Sequence, residues 1–320
     1  MLSANKYNCR WDAYPVPEDA PPPYNDSTAW GIVPAWGYGV VVRSGNSAIP
    51  QGTVFWGFWP TADMLVLLDL KPTKPAGCWK EVSQHRQRMM TLYNIYHETG
   101  KTLASPLNPT IGQDELQNMA WEALFRPTWQ SGYLISQHVF SPKDDSIAPI
   151  HPLGVGEWST ADADLSRTLL VSLSASGKTA RSFAYNVLRR SKSSGPLGFL
   201  QVTSSPSSIA DVPQILKSPV RTKAISYSDI SDTMEWVAGL NPSRVVVVDF
   251  GARENALASL VDSVKARGAL ADVKMTILQV GSQQKVRSTM ELLLQSSKLC
   301  ELGILKQRPT SSGPRDVKVW

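Results

Sequence analysis

The segment TLLVSLSASGKTA, residues 168–180, decides the fold of this chain. Its first six residues form a short, largely apolar run, which is typical of a strand buried on both faces of a parallel sheet. The small residues that follow allow a helix to begin close to the end of that strand. Apolar residues at helical spacing then predict a helix over Lys178–Arg190. A strand, a tight turn and a helix in this order indicate an α/β fold.

Strand-like and helix-like patterns continue to alternate toward the C-terminus. Further strands are predicted at residues 197–203, 223–227, 244–250 and 273–281, and further helices at residues 229–240, 254–267 and 285–299. This alternation predicts parallel strands joined by right-handed crossovers, with helices on both faces, as in a Rossmann-like sheet. The polar end of the chain, residues 306–320, is expected to be a flexible tail.

The first half of the chain has a different pattern. Short aromatic and β-branched runs alternate with Gly and Pro over residues 30–70, which predicts mainly strands and turns, and MLVLLDL at residues 64–70 is one of the predicted strands. Residues 79–97 have a mixed helical spacing, and residues 113–125 have a clearer helical face. We therefore predict a β-rich domain over residues 1–164, followed by a Rossmann-like domain over residues 165–305.

Composition excludes several classes of protein. The chain has 320 residues, of which 42% are hydrophobic and 18% charged, so it can bury a core. Its net charge of +5 is scattered, with no run of five like charges, which argues against a nucleic-acid partner. Cys9, Cys78 and Cys300 are far apart, so neither a disulfide framework nor a metal site is expected. No segment approaches the about 20 apolar residues of a membrane helix, and we expect a cytoplasmic protein.

The turn after the first predicted strand is the best candidate for a binding site. In open α/β sheets, ligands bind beyond the carboxyl ends of the strands, where the N–H groups of a starting helix favour phosphate. Ser174 and Ser176 can donate hydrogen bonds there, Lys178 adds positive charge, and Gly177 and Thr179 complete the turn. A G-x-G-x-x-G fingerprint would be a stronger signal, but its glycine positions hold two serines and a threonine. The alternative is a plain turn with serines that cap the helix.

A second alternative is a nucleotide triphosphate site. Gly177, Lys178 and Thr179 match the end of a P-loop, and residues 245–249 resemble the strand that accompanies one. The first glycine of a P-loop would fall at Ser172, inside the predicted strand. Too little loop then remains to surround a phosphate, so this interpretation is disfavoured.

The ends of the later strands indicate which dinucleotide would bind. An acidic residue usually follows the second strand when NAD is the cofactor. Here the first acid is Asp211, while Thr203 and Ser204 suit a 2′-phosphate, which favours NADP; a plain polar loop is the equal alternative. Asp249 ends a buried strand and can face the ligand crevice. Gly281 ends the next strand, where the backbone can approach a cofactor.

Several segments resemble a known superfamily. WGIVPAWGYGVVVRSG at residues 30–45 and IPQGTVFWGFWPTADMLVL at 49–67 resemble the catalytic, GroES-like domain of medium-chain dehydrogenases/reductases. With FRPTWQSGYLISQ at 125–137 and LVSLSASGKTA at 170–180, the chain is similar to a divergent, quinone-oxidoreductase-like branch of unknown function from fungi and bacteria. Family members usually begin earlier and continue further, so the chain looks shortened at both ends and its GroES-like domain incomplete.

The resemblance implies an activity. It points to a zinc-independent, NADP(H)-dependent reductase of a small enone, quinone or carbonyl compound, associated in fungi with secondary metabolism. Tyr38 and Tyr96 are our candidates for donating a proton to the substrate. The alternative is a non-redox protein on a degenerate reductase fold, either an isomerase or lyase or a ligand-binding protein. The oligomeric state is not predicted.

Overall fold

The computed structural model describes residues 10–61, 65–105, 110–142, 147–152, 154, 156–253, 255–281 and 317–319. The chain divides into two compact units, Met1–Pro127 and Thr128–Trp320, which are built on separate sheets. This boundary differs from the one predicted after residue 164. The reason is packing, because Phe140 and Trp158 belong to the same hydrophobic core as Phe183 of the second unit.

The first unit contains an antiparallel sheet. Its strands are β1 Pro34–Val40, β2 Thr53–Pro60, β3 Leu70–Thr73, β4 Cys78–Glu81 and β5 Ile95–Thr102. Their order in the sheet is β1-β2-β5-β4-β3. Residues 53–58 of β2 are all buried, because packed side chains cover both faces of this strand.

Two local predictions for this unit are wrong. Residues 79–97 do not form a helix but the end of β4, two 3-10 turns and the start of β5. Trp79 and Tyr96 lie directly opposite each other on β4 and β5, and this cross-strand aromatic pair outweighs the helical spacing. Residues 65–69 also lie outside the strands, and Leu65 and Leu67 are 76% and 94% exposed.

A long helix follows the antiparallel sheet. Helix α1 spans Gln113–Leu134 and continues into a π-helical turn at Ile135–Val139. It is longer than the predicted 113–125 because it continues through Pro127, which removes one backbone donor without ending the helix. The boundary between the two units falls at this proline.

The second unit contains the parallel sheet that the sequence predicts. Its strands are β6 Thr168–Leu173, β7 Gly198–Val202, β8 Thr222–Ile225, β9 Arg244–Phe250, β10 Lys274–Gly281 and β11 Val317–Val319. All neighbouring pairs are parallel, in the order β11-β10-β9-β6-β7-β8. Counted from β6 as the first strand, this is the 3-2-1-4-5-6 order of the Rossmann fold. The predicted α/β fold class is therefore confirmed.

Helices cover both faces of the parallel sheet. They are α2 Thr160–Ala163, α3 Lys178–Leu188, α4 Val212–Ile215, α5 Ile230–Gly239 and α6 Ala256–Ala266. One core contains Val237 of α5 and Leu260 of α6, and the other contains Phe183 and Val187 of α3. Each of these fully buried apolar side chains contributes about 1.5–3 kcal/mol to folding. The helix predicted at residues 285–299 lies outside the described residues.

The C-terminal end departs from the expected flexible tail where it is described. Val317–Val319 forms β11, which pairs in parallel with β10 through Met275–Ile277. The rest of residues 306–320 lies outside the described part of the chain. None of the described helices is both long and apolar enough to cross a lipid bilayer.

Candidate functional site

The candidate site lies at the carboxyl edge of the parallel sheet, between β6 and β9. These two strands are neighbours, and Leu173 at the end of β6 pairs with Asp249 near the end of β9. From β6 the chain continues to β7 on one side, and from β9 it continues to β10 on the other. The connections therefore diverge at this point, and in open α/β sheets this is the place where ligands bind.

The turn after β6 is tight and well defined by backbone hydrogen bonds. Ser174 has a φ of 57°, in the left-handed region that glycine normally occupies. The amide of Gly177 donates to the Ser174 carbonyl at 3.0 Å, and the amide of Ala175 donates to Val202 at 3.0 Å. Ser174 therefore adopts the backbone conformation that the first glycine of the fingerprint would adopt. Unlike glycine, it places a hydroxyl group at this position.

Helix α3 begins directly after this turn, and its N-terminus is electrostatically incomplete. Gly177 is the N-cap residue, no side chain caps the helix, and no acidic residue lies in the first turn. The first N–H groups of a helix have no intrahelical acceptor and carry partial positive charge. The exposed Lys178 adds a full positive charge at the same end. The alternative interpretation, in which serines of this turn cap the helix, is therefore wrong. Without a cap, the N-terminus of α3 can bind an anion.

The structure brings Ser176 together with the end of the second strand. The Thr203 hydroxyl donates to Ser176 Oγ at 2.7 Å, and Thr203 is only 1% exposed. The amide of Ser205 donates back to Thr203 Oγ1 at 3.3 Å, which fixes the start of the loop. Ser204 is exposed beside this pair, and Thr179 is half-buried in the first turn of α3.

Asp249 is buried at the end of β9, where its carboxylate organises the next turn. Its Oδ1 atom accepts hydrogen bonds from the amides of Gly251 at 2.9 Å and Ala252 at 2.8 Å. Burial raises the pKa of Asp249, and the two amides oppose that shift. Gly281 lies opposite Phe250 in the neighbouring strand, and a Cβ atom at Gly281 would lie 3.0 Å from the Phe250 carbonyl oxygen. Close packing of two strand ends is therefore sufficient to explain this glycine.

Sequence analysis missed two residues at this edge, Tyr227 and Arg253. Tyr227 follows β8 and lies close to Ser174 in the turn after β6. Burial raises the pKa of Tyr227, and the hydrogen bonds with Ser174 oppose the shift. The Arg253 guanidinium lies 5.7 Å from the centre of the Tyr227 ring, within cation–π range. The sequence did hold a signal, because Tyr227 is the last residue of the strand predicted at 223–227.

The two tyrosines proposed as proton donors belong to the first unit and do not share a site. Tyr38 pairs with Trp56, and Trp56 pairs with His97. Since side chains alternate along a strand, Tyr96 projects from the opposite face of the sheet to His97, and hence to Tyr38. At most one of the two can therefore contact any single substrate on this sheet.

Tyr96 is part of a buried polar cluster. It is fully buried, and its hydroxyl donates to the Phe58 carbonyl at 2.9 Å while accepting from Arg86 Nη1 at 2.8 Å. Burial raises the pKa of Tyr96. Glu81 lies 3.7 Å from the Arg86 Nε atom, and both side chains are 1% exposed. The proton of Tyr96 is thus held by a carbonyl oxygen in the core, which explains the residue structurally.

Tyr38 is half-buried and has a different partner. Its hydroxyl donates to Glu122 on α1, and Glu122 also accepts from Arg126 at 3.0 Å. Burial, followed by the hydrogen bond with the Glu122 carboxylate, raises the pKa of Tyr38. The Arg126 guanidinium stacks 4.3 Å from the Trp56 ring. Tyr38 is therefore the more accessible of the two candidates.

Metal-binding side chains are dispersed in the described regions. No group of three or more His, Cys, Asp or Glu residues there could hold a metal ion. Cys78 is buried with its Sγ atom 3.1 Å from Nδ1 of His97. Cys9 and Cys300 lie outside the described residues.

Comparison with known proteins gives a family for this chain. No functionally curated protein matches it. A solved structure described as "Crystal structure of CurK enoyl reductase" is similar at 12% identity and a TM-score of 0.34, over 90% of this chain and 73% of that chain. A family model described as "Protein of unknown function (DUF2855)" matches residues 6–311. Since this match spans nearly the whole sequence, the chain belongs to the DUF2855 family.

Proposed function

We propose that this chain binds a nicotinamide dinucleotide at the β6–β9 crevice and uses it to reduce a small carbonyl compound. The observation that carries the proposal is the uncapped N-terminus of α3, which follows a left-handed turn at the end of the first strand of a Rossmann-ordered sheet. In dinucleotide-binding proteins of this order, the pyrophosphate lies at that helix N-terminus. Lys178 would provide the charge-assisted contact and Ser174 and Ser176 the neutral ones.

The loop after β7 supports NADP rather than NAD. A carboxylate at the end of the second strand would bind the ribose of NAD and repel a 2′-phosphate. Here Thr203 and Ser204 occupy this position, and the first acid is Asp211. Arg181 is close to the same loop, since its Nη2 atom donates to the Ser208 carbonyl at 2.6 Å. The side chains around the 2′-position are therefore neutral or cationic.

The reductase part of the proposal rests on the likeness to zinc-independent medium-chain dehydrogenases/reductases. In this scheme, the dinucleotide supplies the hydride, and the substrate is an enone, a quinone or a similar small carbonyl compound. Tyr38 is the better proton donor of the two candidate tyrosines, because the Tyr96 hydroxyl is enclosed in the core. Its hydrogen bond with Glu122 would have to break or relay the proton during the reaction.

One observation favours a second candidate, a non-redox protein on this fold. Ser174 and Ser176 stand where the fingerprint carries glycines, whose missing side chains let the pyrophosphate approach the backbone. Their hydroxyls have partners in Tyr227 and Thr203. A turn filled by its own side chains would exclude a dinucleotide, and the protein would then bind another ligand or catalyse isomerisation or elimination.

Titration of the protein with NADPH, followed by the fluorescence of the reduced nicotinamide, separates the two candidates. NADH serves as the control under the same conditions. We expect saturable binding of NADPH that is at least about tenfold tighter than that of NADH, as for the loss of one charge-assisted contact. Equal affinities for NADPH and NADH would mean that the reductase does not prefer NADP over NAD. Absence of binding by either would reject the reductase and leave the non-redox candidate.

A second measurement tests catalysis itself. NADPH oxidation is monitored at 340 nm with simple quinones and α,β-unsaturated ketones as substrates. Turnover by the wild-type protein that disappears in Tyr38→Phe, with NADPH affinity unchanged, supports the proton-donor role. If NADPH binds but no such compound is reduced, the proposed substrate class is wrong, whereas the proposed cofactor is still supported.

A further inference from the structure

We propose that Gly132 on α1 is a positioning residue for the dinucleotide site, because it lets α1 pack directly on the backbone at the start of α3. This inference rests on the proposed function, since it concerns the direction of the N–H groups that would bind the pyrophosphate. Residues 128–134 of α1 belong to the same unit as α3. Gly132 is buried, whereas Ser131 and Tyr133 on either side of it are exposed. The glycine therefore lies on the packed face of this part of α1.

The contact between α1 and α3 leaves no space for a side chain at Gly132. A Cβ atom there would lie 2.5 Å from the Thr179 carbonyl oxygen, 2.6 Å from the Phe183 amide nitrogen and 2.6 Å from Ser182 Cβ. Ordinary van der Waals contact begins at 3.4 Å, so even a methyl group would push the two helices apart by about 1 Å. Glycine inside a helix is less favourable than alanine, and the close approach of α3 is what excludes alanine here.

Hydrogen bonds attach α3 to the same segment near both of its ends. Near the start of α3, the buried Ser182 hydroxyl donates to the Trp129 carbonyl of α1 at 2.6 Å. Just beyond the end of α3, the buried Arg190 donates to the carbonyls of Ser136 and Phe140, which follow α1 in the chain. The direction of α3 is therefore set by two attachments, and the contact at the glycine belongs to the first of them.

A change at the first attachment alone would tilt α3. If a side chain at Gly132 displaces the start of α3 while the bonds of Arg190 hold its other end, the axis of the helix turns. The first turn, which includes Thr179, carries the amides that have no intrahelical acceptor and that would bind the pyrophosphate. Hydrogen bonds weaken steeply when the donor is misaligned. A misplacement of about 1 Å caused by a distant substitution can reduce function by about hundredfold.

The chain offers matched controls for the variant Gly132→Ala. Gly239→Ala makes the same substitution at the end of α5, where no atom of the described residues beyond its own helix lies within 4 Å of the added Cβ. Val264→Ala removes volume from α6 in the core that does not contain α3, and so lowers stability without touching α3. Ser182→Ala removes the hydrogen bond to Trp129 without adding volume.

The experiment is titration of the whole chain and these variants with NADPH, followed by nicotinamide fluorescence at a temperature at which circular dichroism shows them folded. We expect Gly132→Ala to weaken binding by about ten- to hundredfold and Ser182→Ala to weaken it less. Gly239→Ala and Val264→Ala should bind as the wild type does. A glycine with a purely structural role would lower the melting temperature and leave the affinity unchanged.

The possible results separate this inference from the proposed function. Equal affinities of the wild type and Gly132→Ala, or equal losses in Gly132→Ala and Val264→Ala, would overturn the positioning role and leave NADPH as the cofactor. If Gly132→Ala does not fold, Ser182→Ala decides, because a reduced affinity supports the role and an unchanged affinity overturns it. Absence of NADPH binding by the wild type would reject the proposed function and this inference with it.

Discussion

Two helix starts at the same edge of the parallel sheet are built in opposite ways. The helical segment after β8 begins with a capping box, in which Ser226 accepts from the Asp229 amide and Asp229 accepts from the Ser226 amide. Asp232 adds a further carboxylate in the first turn of α5. The start of α3 after β6 has no side-chain cap and no acid, and it has Lys178 instead.

This difference distinguishes a helix start that stabilises the protein from one that can bind an anionic ligand. A capping box satisfies two amides and neutralises the positive helix end, which stabilises the protein and leaves nothing for a ligand. The start of α3 forgoes that stabilisation, and its amides need an acceptor from solvent or from a bound anion. Of these two helix starts, only that of α3 has the composition of a phosphate site.

The largest expected effect comes from giving α3 a negative cap. Gly177→Asp places a carboxylate at the N-cap, beside the expected pyrophosphate, and like charges at that distance repel strongly. We expect NADPH affinity to fall by at least about hundredfold. Gly177→Asn has nearly the same shape without the charge and should lose much less. Similar losses in both variants would mean that space at Gly177, and not charge, determines binding.

The next effect concerns the cation at the same position. Lys178→Ala should weaken NADPH binding by about 1.5–3 kcal/mol, the value of a charge-assisted hydrogen bond, or about ten- to hundredfold. Lys265→Ala removes an equal charge at the exposed last turn of α6 and is the control. Equal affinities of Lys178→Ala and the wild type at low salt would show that Lys178 is only a solvated surface residue.

A smaller effect is expected at the capping box after β8, and it concerns the stability of the protein rather than its affinity for NADPH. Ser226→Ala removes the side-chain acceptor of the capping box and should lower the free energy of unfolding by about 1 kcal/mol. NADPH affinity should stay unchanged, because the amides at this helix start are bonded to side chains of the protein and not to a ligand. Denaturant unfolding and NADPH titration of the same variant test both halves of the statement. A loss of affinity without a loss of stability would reverse the assignment of the two helix starts.

The smallest effect is a pH dependence at Asp249. Burial raises the pKa of this carboxyl, so the folded state holds the proton more tightly than the unfolded state does. Stability is then lost as pH rises from about 3.9, the ordinary pKa of Asp, through the raised value in the fold. Asp249→Asn keeps an oxygen for the two amides and avoids this loss.

The measurement for Asp249 is the melting temperature of both proteins between pH 4 and pH 8. Asp249→Asn should melt higher than the wild type at pH 7, and the difference should shrink toward pH 4. A variant that melts lower than the wild type at pH 7 would show that the two amide hydrogen bonds need the full charge of the carboxylate.

The parallel sheet was predictable because its strands are buried on both faces. TLLVSL at 168–173 and RVVVVDF at 244–250 coincide with β6 and β9, since continuous apolar runs leave little ambiguity about where a strand begins and ends. The antiparallel sheet was predicted less well. Met89, Leu92, Tyr93 and Tyr96 satisfy a helical spacing by accident, and only the pairing of Tyr96 with Trp79 across strands, a non-local contact, determines the structure there.

The candidate site was predictable in part for a related reason. The turn at 174–177 is local, so its small residues and the helix after it could be read from the sequence. Tyr227 reaches this turn from a strand more than 40 residues later, through the β8-β7-β6 order of the sheet. The order of strands is a global property, and Tyr227 joins the site only once that order is known. The burial of Tyr96 was not predictable because its carbonyl partner, Phe58, is also distant in sequence.

The position of β5 has a consequence for how the first unit forms on the ribosome. β5 is the last of its strands to be synthesised, yet it lies in the middle of the sheet, between β2 and β4. Until residues 95–102 have left the exit tunnel, the nascent chain contains only two separate hairpin-like pairs, β1 with β2 and β3 with β4. Isolated two-stranded pairs are at best marginally stable, and their open edges are prone to mispairing. The sheet of this unit can therefore form during translation only after β5 has emerged. A ribosome stalled before residue 95 would carry an exposed, aromatic-rich chain that chaperones would recognise.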